Sequence, residues 1–248
     1  SRALYMTGKA TELAAVNVRD NLLECMAEYF GVSAGELDLG DSKVFVLDNP
    51  ERCMSTKEMA KHCAAQGVHR HSLEIYRAPP SEGLDPETGQ GEVFPDFTYG
   101  AHAAKVSVDI DTGEVTVIKS VGAHDVGQSI NLRAVEGQIE GSALMGQGFA
   151  LSEELILEKG VLKNGSFSEY LIPTSEDVPE IESIVLESRS GLGPFGSKGI
   201  GEPVFAPVAA SIVNAVADAI GTRIHDLPLT PEKVLAAVNA KQTQEAAE

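Results

Sequence analysis

The feature that most limits how this chain can fold is the run Val204-Phe-Ala-Pro-Val-Ala-Ala-Ser-Ile-Val-Asn-Ala-Val-Ala-Asp-Ala-Ile-Gly221. Its only polar side chains, Ser211, Asn214 and Asp218, fall at i, i+3 and i+7, a single narrow stripe on a helix. A helix so apolar has to lie inside a protein, and Gly221 supplies the left-handed residue that closes it. Immediately before it stands Gly193-Pro-Phe-Gly-Ser-Lys-Gly-Ile-Gly-Glu-Pro203, with four glycines, two prolines and one acid, Glu202. Glycines let backbone N–H groups come close to a ligand because no Cβ intervenes. A lone carboxylate in a glycine loop at the mouth of a buried helix has two readings. It is a solvated residue favoured by the helix dipole, or it is a functional acid. Spacing leaves the two even.

The rest of the chain mixes long helices with hairpins and shows no βαβ alternation, which is an α+β pattern. Apolar residues at a 3.6 period predict one helix over residues 4–30, ended by Gly31. Short strands follow at 37–39 and 43–47, Asp48-Asn-Pro50 breaks the chain, and Ser55 with Glu58 forms the capping box of a helix over 56–66. A strand is expected at 72–76, then a long loop through Gly91. Residues 103–110 and 114–121 alternate about Asp111-Thr112-Gly113 and predict a hairpin. Asp109-x-Asp111-x-Gly113 is only superficially a calcium loop, since the later ligands are missing.

A polar loop over 123–131 leads into a glycine-rich helix over 135–151. Each glycine there costs about 1 kcal/mol in propensity, so close packing or a bound group has to hold it. Gln138 and Gln147 lie on that surface, and Gln147 is read as solvated. Further strands are expected at 156–161 and 181–186, with a last helix capped by Thr230 and opened by Pro231.

Nineteen basic against 37 acidic residues give a net charge of −18 with no basic cluster. That argues against a nucleic acid or an anionic membrane surface as partner. The longest apolar run is too interrupted to span a bilayer, and a polar terminus over 241–248 is expected to be disordered. Three cysteines without C-x-x-C spacing fit buried thiols in a reducing compartment. His69 and His71 lack a third ligand for a metal. His124-Asp125 reads as an acid/base pair or as a turn bonded to its own backbone. The residues alone thus reach two glycine-lined surfaces, around 127–148 and 193–202, suited to a large cofactor held through backbone groups.

Six ordered motifs then resemble one family: Val108–Val115, Ala123-His-Asp-Val-Gly127, Glu136-Gly-Gln-Ile-Glu-Gly141, Tyr170-Leu-Ile-Pro-Thr174, Gly193–Pro203 and Leu227-Pro-Leu-Thr-Pro231. They are similar to the molybdenum-cofactor subunit of the xanthine dehydrogenase/aldehyde oxidase family. Within that family they resemble the second, C-terminal molybdopterin-binding region, here 1–248 with sub-lobes roughly at 1–95 and 96–248. The resemblance implies a cytoplasmic molybdenum hydroxylase that places water-derived oxygen on an electron-poor carbon of an N-heteroaromatic, purine- or nicotinate-like, or of an aldehyde. Alternatives in the same frame are a carbon monoxide dehydrogenase-like or thioester-reductase-like member, or a non-catalytic assembly partner.

Its site roles carry over residue by residue. Glu202 matches the base that takes the proton as oxygen attacks and hydride leaves, a role that wants a carboxyl raised toward neutral by desolvation. Gln138 matches the glutamine on the cofactor. Ser1, Arg2, Ala3 and Leu4 match a segment wrapping it at a helix N-terminus, and Gly199 and Gly201 let the loop lie against it. Lys198, Ile200 and the turn Gln128, Ser129, Ile130, Asn131 match contacts of a dinucleotide tail, although Leu132 replaces the usual proline after Asn131. The implied cofactor is molybdopterin, in cytosine dinucleotide form, with a sulfido or selenido ligand and no protein ligand on the metal. Implied partners are a chain carrying the N-terminal half of a split molybdenum subunit, an Fe–S subunit and an FAD subunit.

Overall fold

The computed structural model describes residues 1–245. The chain forms two compact units, one over Arg2–Pro95 and one made of Ser1 together with Asp96–Glu248.

In the Arg2–Pro95 unit a helical run opens with a π-helical turn, Leu4–Gly8, and continues as α1, Lys9–Phe30. It stops where expected: Gly31 takes φ 65°, and its N–H bonds the Ala27 carbonyl. Strands β1 (Leu37–Gly40), β2 (Lys43–Val46) and β3 (Asn49–Ser55) form an antiparallel sheet in that order. The break expected at Asp48-Asn-Pro50 is in fact the start of β3. Proline is tolerated there because β3 is an edge strand, where its missing N–H costs no ladder bond. Ser55 and Glu58 make the capping box at the start of α2, Thr56–Ala65. Leu23 and Met26 of α1, Leu37, Val44 and Val46 of the sheet, and Met59 and Cys63 of α2 close the core.

Burial, with the neighbouring Cys25 thiol, pushes the Cys63 thiol up to about 12. Cys53, expected to be buried, is exposed. The strand expected at 72–76 does not form. Its residues alternate, but Leu73 and Ile75 are 84% and 72% exposed, so the apolar side faces outward, and among the described residues no strand pairs with it.

In the other unit β4 (Gly100–Val108) and β5 (Val115–Asp125) form the hairpin, and β8 (Glu180–Leu186) lies parallel to β5 on its far side. The Asp109 carboxylate takes the N–H groups of Asp111 and Thr112, which makes the bend a turn that closes itself. Strand β5 extends through Ala123, His124 and Asp125, which the polar composition had suggested as loop. Across it, Lys119 reaches Glu180 at 2.9 Å and Glu182 at 2.8 Å. A small hairpin of β6 (Leu157–Glu158) and β7 (Val161–Leu162) turns at Lys159 and Gly160.

Helix α3 (Leu132–Leu151) and helix α4 (Val208–Ile220) pack together and against this sheet. The first four residues of the apolar run form a turn, because Pro207 delays the helix to Val208. Val208, Ile212, Val216 and Ile220, spaced by four, are buried with Val117, Ala150 and the Leu229, Val234 and Val238 group. Each such side chain contributes about 1.5–3 kcal/mol. Gly221 closes α4 at φ 69°. Thr230 and Pro231 open α5, Pro231–Glu245, so residues 241–245 expected to be disordered are helical, and 246–248 lie outside the described residues.

Gln147 is 8% exposed rather than solvated, because its Nε2 donates to the Asp177 carbonyl at 3.0 Å. At Gly146 α3 approaches α4 closely, since a Cβ there would fall on the Val208 side chain. Gly146→Ala is therefore expected to destabilise the chain by about 1–3 kcal/mol. A urea unfolding midpoint unchanged from that of the parent would contradict this close approach.

Candidate active site in the glycine loop

Because β5 and β8 run parallel, the chain leaves both at the same end of the sheet. The segment after β5 (126–131) and the segment after β8 (187–203) meet there. Val126 N–H bonds the Leu186 carbonyl at 2.9 Å, Lys198 N–H the Val126 carbonyl at 2.8 Å, and Gln128 N–H the Gly196 carbonyl at 3.1 Å. Arg189 N–H returns to the Gly127 carbonyl at 3.1 Å. Gly127, at φ 67°, cannot be replaced cheaply, since its Cβ would fall on the Gly196 carbonyl oxygen. Phe195 sits at φ 55° beside Gly196, a left-handed conformation that a non-glycine residue takes at a cost.

Asp125 gathers this meeting point. One carboxylate oxygen accepts from the N–H groups of Gly127 (3.0 Å) and Ser188 (3.3 Å), and the other takes the Lys198 ammonium at 2.8 Å. Burial pushes the Asp125 carboxyl up, but the Lys198, Gly127 and Ser188 donors outweigh it and hold it at about 2. The two readings of His124-Asp125 resolve toward structure, with a partner, Lys198, that spacing did not show. Glu187 does similar work nearby, accepting from Ser129 N–H at 2.7 Å and from Gln128 Nε2 at 3.2 Å. Asn131 caps α3 by taking the Ala134 N–H at 3.1 Å.

Of the residues singled out in the sequence, Ser1, Gln128, Ser129, Ile130, Asn131, Lys198, Gly199, Ile200, Gly201 and Glu202 all lie in this unit. Arg2, Ala3 and Leu4 belong to the helical opening of the other. Lys198 is 4% exposed with its ammonium on Asp125. Gln138 is exposed on α3 between Gly137 and Gly141, and a Cβ on either glycine would meet nothing within 4 Å. Its neighbours Val135 and Ile139 turn inward to Val126 and Val204, with Ile200 against them. An exposed amide flanked by bare backbone is a surface that a flat, hydrogen-bonding cofactor fits.

The Glu202 side chain is 80% exposed. Ser1 Oγ donates to its carboxylate, and the Ser1 nitrogen stands 3.0 Å away. The Ser1 hydroxyl, the largest influence, draws the Glu202 carboxyl below the usual carboxylate range, with desolvation the smallest effect. The raised carboxyl expected from the apolar helix behind it is not found. Helix α4 buries its own spine and leaves the Glu202 side chain 80% exposed.

One pair escaped sequence reading. His102 and His124 meet Nε2 to Nε2 at 2.9 Å, diagonally across β4 and β5. The signal was present as the triplet Gly-Ala-His, at 100–102 and again at 122–124. In register each glycine faces the other strand's histidine, and a Cβ on either would strike the ring. Burial, then repulsion from His124, lowers His102 to about 4, and burial lowers His124. A neutral pair fits, one ring donating and the other accepting.

Comparison with known proteins agrees with the architecture. Residues 1–179 match the model of a molybdopterin cofactor-binding domain. A putative xanthine dehydrogenase molybdenum-binding subunit of Escherichia coli (strain K12) is 32% identical over 94% of this chain, which spans 30% of that protein. An aldehyde oxidoreductase of Megalodesulfovibrio gigas is 37% identical over 97% of this chain, which spans 23% of it. Among solved structures, quinoline 2-oxidoreductase from Pseudomonas putida 86 superposes with a TM-score of 0.75 and 28% identity, over 91% of this chain and 28% of that one. The chain thus spans under a third of the length of these relatives.

Two titrations follow from the site. The unfolded chain protonates His102 near 6.5 and the folded one only near 4, so stability is full above pH 6.5 and falls as pH drops toward 4. His102→Gln should flatten that slope in urea unfolding series across the window; an unchanged slope would remove the pair as its source. Ser1→Ala should raise the Glu202 carboxyl, followed by carbon NMR of the labelled side chain, and no upward movement would deny the hydroxyl its part.

Proposed function

We propose that this chain, which belongs to the molybdopterin cofactor-binding domain family, supplies the base and one wall of a molybdenum hydroxylase active site. The observation that carries the reading is Glu202, an ionised and accessible carboxylate at the end of a glycine loop whose backbone is fixed on both sides. When bound, the cofactor supplies the oxygen to be transferred and accepts the electrons. Gln138, flanked by Gly137 and Gly141, would hold the cofactor through its amide. Gly199, Ile200 and Gly201 would let the loop lie along it. Ser1, Arg2, Ala3 and Leu4 and the 128–131 turn complete the proposed cofactor contacts, in the cytosine dinucleotide form with a sulfido or selenido ligand on the metal, while Lys198, expected among them from the resemblance, has its ammonium on Asp125.

In this chain Glu202 takes up the proton released as oxygen, ultimately from water, is transferred to an electron-poor carbon. With its carboxyl drawn down by the Ser1 hydroxyl it is a weak base. A second wall that covered the carboxylate would raise it by desolvation toward the range a general base needs. We therefore read the working site as completed by a further polypeptide segment, in a cytoplasmic complex that also has Fe–S and FAD components. The substrate class is an N-heteroaromatic or an aldehyde. The proteins similar to this chain include a xanthine dehydrogenase subunit, an aldehyde oxidoreductase and a quinoline oxidoreductase.

Glu202→Gln in the assembled, cofactor-loaded complex is expected to lower kcat by about 10²–10⁴-fold while molybdenum and nucleotide contents hold. Turnover at the parent rate would sink the assignment of the base. The same assay, run over a panel of purines, pyridines and aldehydes, selects the substrate class.

A further inference from the structure

Lys198 stands four residues before Glu202, in a stretch where Ile200 packs against the Val126 group and Ser1 Oγ meets the Glu202 carboxylate. Gly199 and Gly201 lie between them, and glycine samples backbone conformations that other residues do not. The Lys198 ammonium crosses to β5, 2.8 Å from the Asp125 carboxylate, with the side chains 4% and 14% exposed. The ammonium also lies 5.3 Å from the centre of the Tyr99 ring. On the backbone, Lys198 N–H bonds Val126, and Thr98 Oγ1 donates to the Gly199 carbonyl at 3.2 Å. Past Gly199 the loop runs on to Glu202. A buried ion pair adds little net stability, since desolvation offsets the attraction, and its better attested use is to select one arrangement over others.

We propose that Lys198 and Asp125 are positioning residues, an internal tie that holds Gly199–Glu202 in a single conformation and so fixes where the Glu202 carboxylate is presented. The inference rests on Glu202 being the base, but its own content is the order of the loop, which can be measured without turnover. Lys198→Met keeps the aliphatic stem and leaves Asp125 its Gly127 and Ser188 donors. In amide hydrogen exchange on this chain it is expected to speed exchange about tenfold across 198–202, with β4 and α5 unchanged. Unchanged exchange in the loop overturns the proposal, and so does a uniform rise across the unit, which would make the pair ordinary structural support.

The double variant Lys198→Met with Asp125→Asn should match Lys198→Met alone, because partners in one interaction are not additive; a further tenfold increase would separate them. In the loaded complex, Lys198→Met should lower kcat about tenfold, with KM and molybdenum content held. Loss of molybdenum in step with activity would make Lys198 a cofactor ligand and overturn the positioning role. Glu202→Gln runs beside it. If that variant kept full turnover, the base would be lost while the exchange result still decided whether the tie orders the loop.

Discussion

Three segments of the candidate site meet on one carboxylate. Asp125 is the last residue of β5, and its oxygens collect an N–H from the turn that follows, an N–H from the segment after β8, and the ammonium of the glycine loop. Glycine-rich backbone is expensive to order, at about 1–2 kcal/mol per residue, and has few side chains with which to recover the cost. Gathering three segments on one acceptor orders all of them through a group that the rigid sheet already holds. The arrangement also keeps a buried charge from being left alone, which would cost far more than a missing surface pair.

Behind that junction the packing is made of small residues placed where two backbones must approach. Gly146 lets α3 settle on Val208 of α4, and Gly100 and Gly122 make room for the two imidazoles within the hairpin. The glycines of α3 thus divide by face. Gly146 and Gly148 meet protein, while Gly137 and Gly141 are bare on either side of Gln138. One helix serves as core element and as open surface, and its composition is a compromise between them.

Local order was legible where physics is local. The 3.6 period of the last part of α4, the capping box of Ser55 and Glu58, the Asp109 turn and the left-handed stops at Gly31 and Gly221 depend on neighbours in sequence. What was missed depends on partners far along the chain. Pro50 fits within the first residues of a strand because β3 has an open edge, and residues 72–76 fail to be one because, among the described residues, no strand lies beside them. Gln147 is buried because Asp177 offers a carbonyl thirty positions on. Lys198 has no local signature as the partner of Asp125, and the repeated Gly-Ala-His triplet has meaning only once β4 and β5 are in register. Glu202 was found as a candidate through its glycine setting, whereas its acidity followed from Ser1, about two hundred residues away.

The parallel pairing of β5 with β8 has a metrical consequence. Lys119 opposite Glu180 and Asp125 opposite Leu186 mark the two ends of a seven-residue ruler. Both loops start from its far end. A strand slides only in even steps if the same face is to stay inward, and each such step is about 7 Å. The distance between the 126–131 turn and the glycine loop is therefore a digital quantity rather than a continuously adjustable one. A register is either right, with Asp125 meeting its three donors, or wrong by more than the span of a hydrogen bond, so strand pairing acts as the gauge that sets the site.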